Sequence, residues 1–165
     1  MDLSKQVIAA PDGYSVSTSA DAHNGPVSPV DFDHLVGSTG SAASLGFVAG
    51  YDETFDSNDS LSSDSIDITL FRFSSAATAS NFATTAVTIF MSSNSDQAPT
   101  QKAYAPIIGA VALDGTKLSK DEFVDHAVVL VKGSTLMVLD YTTDNTNPVT
   151  SAFGGWVSAE YAAVA

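Results

Sequence analysis

The stretch Ile66-Asp-Ile-Thr-Leu70-Phe-Arg72-Phe73-Ser-Ser75-Ala-Ala-Thr-Ala79-Ser-Asn-Phe82-Ala83-Thr-Thr-Ala86-Val87-Thr-Ile-Phe90-Met91 changes its hydrophobic period once, and that change decides the fold. Ile66, Ile68 and Leu70 alternate with Asp67, Thr69 and Phe71, which predicts a strand over 66–73. Both of its faces become apolar towards the end, as in a central strand. From Ser75 onward Ala79, Phe82, Ala83, Ala86, Val87, Phe90 and Met91 follow three-and-four spacing. They make the single apolar stripe of a helix over 75–92.

The same reading extends in both directions. Upstream, Phe47, Ala49, Tyr51 and Phe55 alternate with polar positions and predict a strand over 47–55 with those four residues on one face. Downstream, a polar linker over 92–101 precedes the apolar run Ile107 to Leu113, closed by Asp114-Gly115 and read as a buried strand. Phe123 to Val131 reads as a strand, Lys132-Gly133-Ser134 as a tight turn and Leu136 to Tyr141 as its return. Asn147 then caps Pro148, and Val149, Phe153, Trp156, Val157 and Tyr161 form the stripe of a closing helix weakened at Gly154-Gly155. Residues 47–92 and 123–163 thus share one order of strand, strand and helix. Neither unit alone buries its apolar side, so the expectation is one α+β domain over residues 1–165, with a mainly antiparallel sheet of four to six strands. It would be built from two strand-strand-helix units, with both long helices on one face.

The amino-terminal part is shorter in its elements. Pro11-Asp12-Gly13 is a turn signal before an edge strand over 14–18, and residues 20–27 read as loop. Ser28, Pro29 and Asp31 supply a cap, a residue that needs no amide donor and an acid near the positive helix end. They predict a helix over 29–36 that stops at Gly37. A further helical turn over 41–45 ends at Gly46.

Composition excludes several classes of function. The chain of 165 residues has 19 acidic against 6 basic side chains, a formal charge of -13 and no cysteine. Disulfide scaffolds, cysteine-ligated metals and thiol enzymes are therefore out, and polyanions such as nucleic acid or an anionic membrane are poor partners. Sixteen of the acids are Asp, and Ser with Thr make 38 residues, a short-chain polar surface more usual outside the cell. The run Ala127 to Val131 is far short of a membrane span. Residues 1–10 lack the charged and apolar segments of a secretory signal, so export requires a signal sequence that is not part of this sequence.

Candidate chemistry is sparse. Asp52 to Asp67 holds six acids in sixteen residues, and Asp56, Asn58 and Ser60 match the first three ligand positions of a calcium loop. Leu61 stands where the loop glycine belongs and Asp67 where the bidentate Glu belongs, so the simpler reading is a solvated loop whose Asp and Ser side chains bond their own backbone. Asp56, Asn58, Asp59, Asp64 and Asp67 are the calcium candidates; Asn58-Asp59-Ser60 is also a glycosylation sequon. Asp31 and His34 are three apart and can share a helix face. His126 falls among Val124, Val128 and Leu130 as a core histidine. Gly37-Ser-Thr-Gly40-Ser41 is a loop between two helical turns and lacks the lysine of a phosphate loop. Arg72, the one arginine, either pairs with an acid or holds a ligand carboxylate.

Four segments carry a family resemblance: Ser28-Pro-Val-Asp-Phe32, Leu45-Gly-Phe-Val-Ala-Gly-Tyr51, Ile68-Thr-Leu-Phe-Arg-Phe-Ser-Ser-Ala-Ala77 with Phe82, and His126-Ala-Val-Val-Leu-Val-Lys-Gly133. Together they resemble exported lipoprotein and sensor-like domains of actinobacteria. The resemblance implies an extracytoplasmic domain of the cell envelope with helices packed on one face of a sheet. The chain departs from disulfide-bearing members in having no cysteine and from lipoproteins in showing no lipobox.

The expectation is therefore a secreted or envelope binding module without enzymatic activity, whose ligand is a protein or a small molecule. Arg72, Asp56, Asp59 and Asp64 are the surface residues that packing does not explain. Two alternatives stand beside it: a hydrolase of a neutral envelope substrate with His126 as base, and a small-molecule carrier with a cavity between sheet and helices.

Overall fold

The computed structural model describes residues 2–20, 22–37, 39–115, 123–143 and 151–164. Eight strands, β1 (Tyr14–Val16), β2 (Gly25–Val27), β3 (Phe47–Ser57), β4 (Ser65–Phe73), β5 (Thr100–Ala103), β6 (Val111–Asp114), β7 (Val124–Lys132) and β8 (Thr135–Thr143), form one antiparallel sheet. Its order is β1-β3-β4-β8-β7-β6-β5, and β2 pairs with β3 along the edge that β1 also uses. The helices are α1 (Pro29–Leu35), α2 (Ser41–Ser44), α3 (Ala76–Ser93) and α4 (Ser151–Ala163). The α+β class and the two strand-strand-helix units agree with the sequence reading, and β4 is central as expected. The cap predicted at Asn147 lies outside the described residues.

Local chemistry explains the element ends. The Ser28 hydroxyl accepts from the Asp31 amide while the Asp31 carboxylate accepts from the Ser28 amide, closing a capping box at the start of α1. Ser75 caps α3 by accepting from the Thr78 amide. Gly133 turns β7 into β8 with a φ of 58°, a value that favours glycine. Short strands β2 and β5 fall where the sequence reads as loop and polar linker. Neither carries an alternating apolar pattern; edge pairing with β3 and β6 makes them strands.

The two long helices lie on opposite faces of the sheet, which corrects the expectation of one covered face. α3 packs its Ala79, Phe82, Val87 and Phe90 with Phe71, Phe73, Val129 and Leu136. α4 packs Phe153 and Val157 with Ile66, Ile68, Leu70 and Met137. The reason is in β4, β7 and β8, whose side chains are apolar on both sides, so each face needs its own cover. Neighbouring antiparallel strands related by a two-fold axis through the sheet would carry their following helices on the same side. The repeated order of elements is therefore not a symmetric duplication.

A second correction concerns β3. A register shift between Phe47 and Ala49 leaves Val48 59% exposed and turns Phe47 to the α3 face, away from Ala49, Tyr51 and Phe55 on the α4 face. On its new side Phe47 stacks on Phe32 of α1 at 4.4 Å between ring centroids. Gly50 makes room for this cluster, since a Cβ there would stand 2.8 Å from that of Val27 and 3.0 Å from the Phe71 ring.

Candidate functional site

The α4 face is covered over its core, with a hollow at its rim lined by Ile107, Ile108, Ser158 and Tyr161. Leu3, Val7 and Ile8 of the amino-terminal segment pack against the same cluster as α4, and the Ile8 amide donates to Glu160 Oε2 at 2.9 Å. The Lys132 ammonium donates to the Tyr161 and Val164 carbonyls at 2.9 and 2.6 Å, satisfying the carboxyl end of α4. Glu160 is buried, and burial, opposed by the Ile8 bond and reinforced by Glu53, pushes its carboxyl up to about 7.

The α3 face is open along one strip. α1 sits over β3 and α3 over β7 and β8, so a groove of about 270 Å³ runs between Leu35 and Val36 on one wall and Ala86 and Ile89 on the other. Thr69 and Asp140 lie on its floor with Phe71 and Val138. Beyond Leu35 the groove meets a second hollow lined by His23, Asp31, His34 and Asp52. Asp31 and His34 do share a face, as their spacing predicts.

Alternation along four strands brings a group of carboxyl groups to this face. Asp52 and Asp56 stand on β3, Asp67 on β4, Asp140 on β8 and Asp125 on β7. Most have donors. Thr69 Oγ1 donates to Asp52 at 2.8 Å, Thr54 to Asp67, Ser17 to Asp56, and Thr142 and Gln97 to Asp125 at 2.6 and 2.8 Å. Asp140 differs: its Oδ1 is shut off from water and has no hydrogen-bond partner. It also lies directly across from Asp67 in the β4–β8 ladder, a like-charge pairing that opposes ionisation. Burial first, then Asp125 and Asp67, hold the Asp140 carboxyl well above the usual range, against a hydrogen bond from the Tyr141 amide. Burial likewise raises Asp67, against the Thr54 bond, and pushes Asp52 up to about 6, against the Thr69 bond.

The residues singled out from the sequence are not gathered at one place. Asp67 belongs to the groove face, whereas Asp64 accepts from the Tyr141 hydroxyl at 3.1 Å on the side of Ile66. Asp59 accepts from the Leu61 amide at 3.0 Å within the loop, and the Asn58 amide donates to the Gly13 carbonyl at 2.8 Å. Among the described residues no group of three or more His, Asp or Glu side chains is placed to hold a metal ion. Arg72 is half-buried on the α4 face, where its Nη2 is 3.4 Å from Gln6 Oε1 of the amino-terminal segment. At the end of the Gly37–Ser41 loop Asp33 accepts from the Gly40 amide at 2.6 Å and from the Ala42 amide just beyond it at 2.7 Å.

His126 is 1% exposed, with Nδ1 3.3 Å from Asp114 Oδ1, and Lys102 pairs with the same carboxylate. Among the described residues its Nε2 is buried and without a hydrogen-bond partner. Asp140 escaped the sequence reading because Asp140-Tyr141 ends an apolar strand and carries no motif. Its one signal is parity, since it shares a face with Val138 and Leu136.

No protein-family model matches the sequence, and no curated protein matches it. The fold does have a counterpart among solved structures. The extracellular domain of PknH from Mycobacterium tuberculosis superposes with a TM-score of 0.56 at 10% identity, over 93% of this chain and 77% of that one. This likeness is one of fold. Among the described residues no helix is long and apolar enough to cross a membrane.

Proposed function

We propose that this protein is an extracytoplasmic binding module of the cell envelope, without catalytic activity, that takes a small-molecule ligand in the groove between α1 and α3. The observation that carries this reading is Asp140. A carboxyl oxygen without a donor, on the floor of an apolar groove, is a standing energetic liability of about 1–3 kcal/mol that a bound partner removes. Apolar walls with a few convergent polar groups are the usual make-up of a ligand pocket. The extracytoplasmic part of the proposal draws on the composition and on the fold shared with an extracellular domain.

Native mass spectrometry tests it. The purified protein is incubated with an envelope lipid and metabolite extract, with and without added calcium, beside the groove-filling variant Ala86→Trp. Excess mass that leaves on denaturation, is independent of calcium and is missing from the variant is the expected result. Calcium-dependent mass retained by the variant moves the site to the Asp56–Asp67 loop, and an unchanged chain mass throughout overturns the reading.

A further inference from the structure

We propose that the groove ligand is a small amphiphile with one protonated amine, held by Asp140 at its head and by the α1 and α3 walls along its chain. The inference rests on the groove being the binding site and adds the chemistry of its occupant.

Three independent observations give the head group its sign. Asp140 Oδ1 lacks a donor, and its cross-strand neighbour is Asp67, so the floor has acceptors in excess. The carboxyl ends of two helices also line the groove, Leu35 and Val36 for α1 and Phe90, Ser93 and Asn94 for α3. Each brings the negative end of its dipole there. The last turn of α3 contains no basic residue, and among the described residues no Lys or Arg lines the groove or the adjoining hollow, whose His34 and His23 face Asp31 and Asp52 and not Asp140. The charge missing from this arrangement is positive. An ammonium supplies three donors to a carboxylate and relieves the opposition of Asp67 and Asp140 in one step.

The rest of the groove sets the body of the ligand. Phe71, Phe82, Ile89 and Val138 are apolar, so a bare hydrated metal ion would leave most of the surface without a partner, whereas an alkyl chain covers it. About 270 Å³ lies just under the usual range of roughly 300–1,000 Å³ for ligand pockets and limits the occupant to a short chain.

The test is a charge series on one chain length, n-octylammonium, n-octanol and n-octanoate, titrated calorimetrically into wild type, Asp140→Asn and Ala86→Trp. The expected result is octylammonium at least ten-fold tighter than octanol, no binding of octanoate, loss of the amine preference in Asp140→Asn and loss of all binding in Ala86→Trp. The wild-type series decides the sign of the head group even where a variant fails to fold. Octanol binding as tightly as the amine, but not to Ala86→Trp, overturns the ammonium head and leaves the groove as a binding site. Tighter binding of N-acetyl-lysine methylamide than of octylammonium overturns the small amphiphile in favour of a lysine side chain. Absence of binding of all the probes at 10 mM, or amine binding unaffected by Ala86→Trp, overturns both the inference and the reading beneath it.

Discussion

The two faces of the sheet solve the same problem differently. Both have apolar strands beneath and a long helix above, and both bury acid. On the α4 face Asp114 is buried against His126 and Lys102, while Glu160 receives the Ile8 amide on Oε2 and keeps Oε1 buried without a partner under the cover of α4 and the amino-terminal segment. On the α3 face the cover is divided between α1 and α3, and Asp140 is left under the gap with an oxygen that no group satisfies. Each face thus keeps an acid with one backbone donor and one buried oxygen that lacks a partner. What differs is place: Asp140 lies on the floor of a groove that a ligand can enter, and Glu160 lies beneath a helix.

The strongest way to break this comparison is to remove a wall. Phe32 is wholly buried and touches the rings of Phe47, Phe71, Phe73 and Phe82, and Phe153 is its counterpart on α4. Phe32→Ala and Phe153→Ala should each lose about 3–5 kcal/mol in denaturant unfolding. A loss below about 1 kcal/mol for Phe32→Ala would mean that α1 is not a fixed wall of the groove.

Asp140→Leu sharpens the contrast at the floor. Replacing the unsatisfied carboxyl by an apolar group should stabilise the fold by about 1–3 kcal/mol at pH 7, while binding in the groove is lost. A destabilised variant would show that Asp140 is structural, as Glu160 is.

Acid titration then probes the α4 face. The folded Glu160 carboxyl at about 7 lies above its ordinary 4.5, so between these values the folded state holds more protons than the unfolded state. Stability must therefore fall as pH rises from about 4.5 through 7 and recover on acidification. The melting midpoint should drop by several degrees over this window, at roughly 2–4 °C per kcal/mol for a chain of this length. Asp52, at about 6, adds a slope of the same sign. Glu160→Gln should remove the Glu160 part; a slope unchanged in the variant assigns it to the groove face.

The smallest effect is expected at Arg72. Its contact with Gln6 holds the amino-terminal segment, so Arg72→Ala should lower stability by about 0.5–1.5 kcal/mol and speed amide exchange in residues 3–8, with groove binding unchanged. Unchanged stability with lost binding would instead make Arg72 a ligand contact.

Much of the architecture was legible because period and caps are local. Ile66 to Phe73 alternates and Ala79 to Met91 follows helical spacing whatever surrounds them, and Ser28 and Ser75 cap where their side chains reach the next free amides. Strands β2 and β5 were not legible, since Gly25–Val27 and Thr100–Ala103 become strands only because β3 and β6 offer an edge. The site was less legible still. Asp52, Asp67, Asp125 and Asp140 are up to 88 residues apart in sequence and meet only through strand register and parity.

By itself, the sequence determined the class: the order of strands and helices, the acidic balance of charge, and the absence of cysteine. These follow from side-chain spacing and composition, which are properties of the chain before it folds. Tertiary structure decided which face each helix covers, that Phe47 turns across a bulge, and that one oxygen of Asp140 lies without a partner beneath a gap. Each depends on non-local packing, where the hydrophobic effect rewards any cover of an apolar face without specifying which segment supplies it.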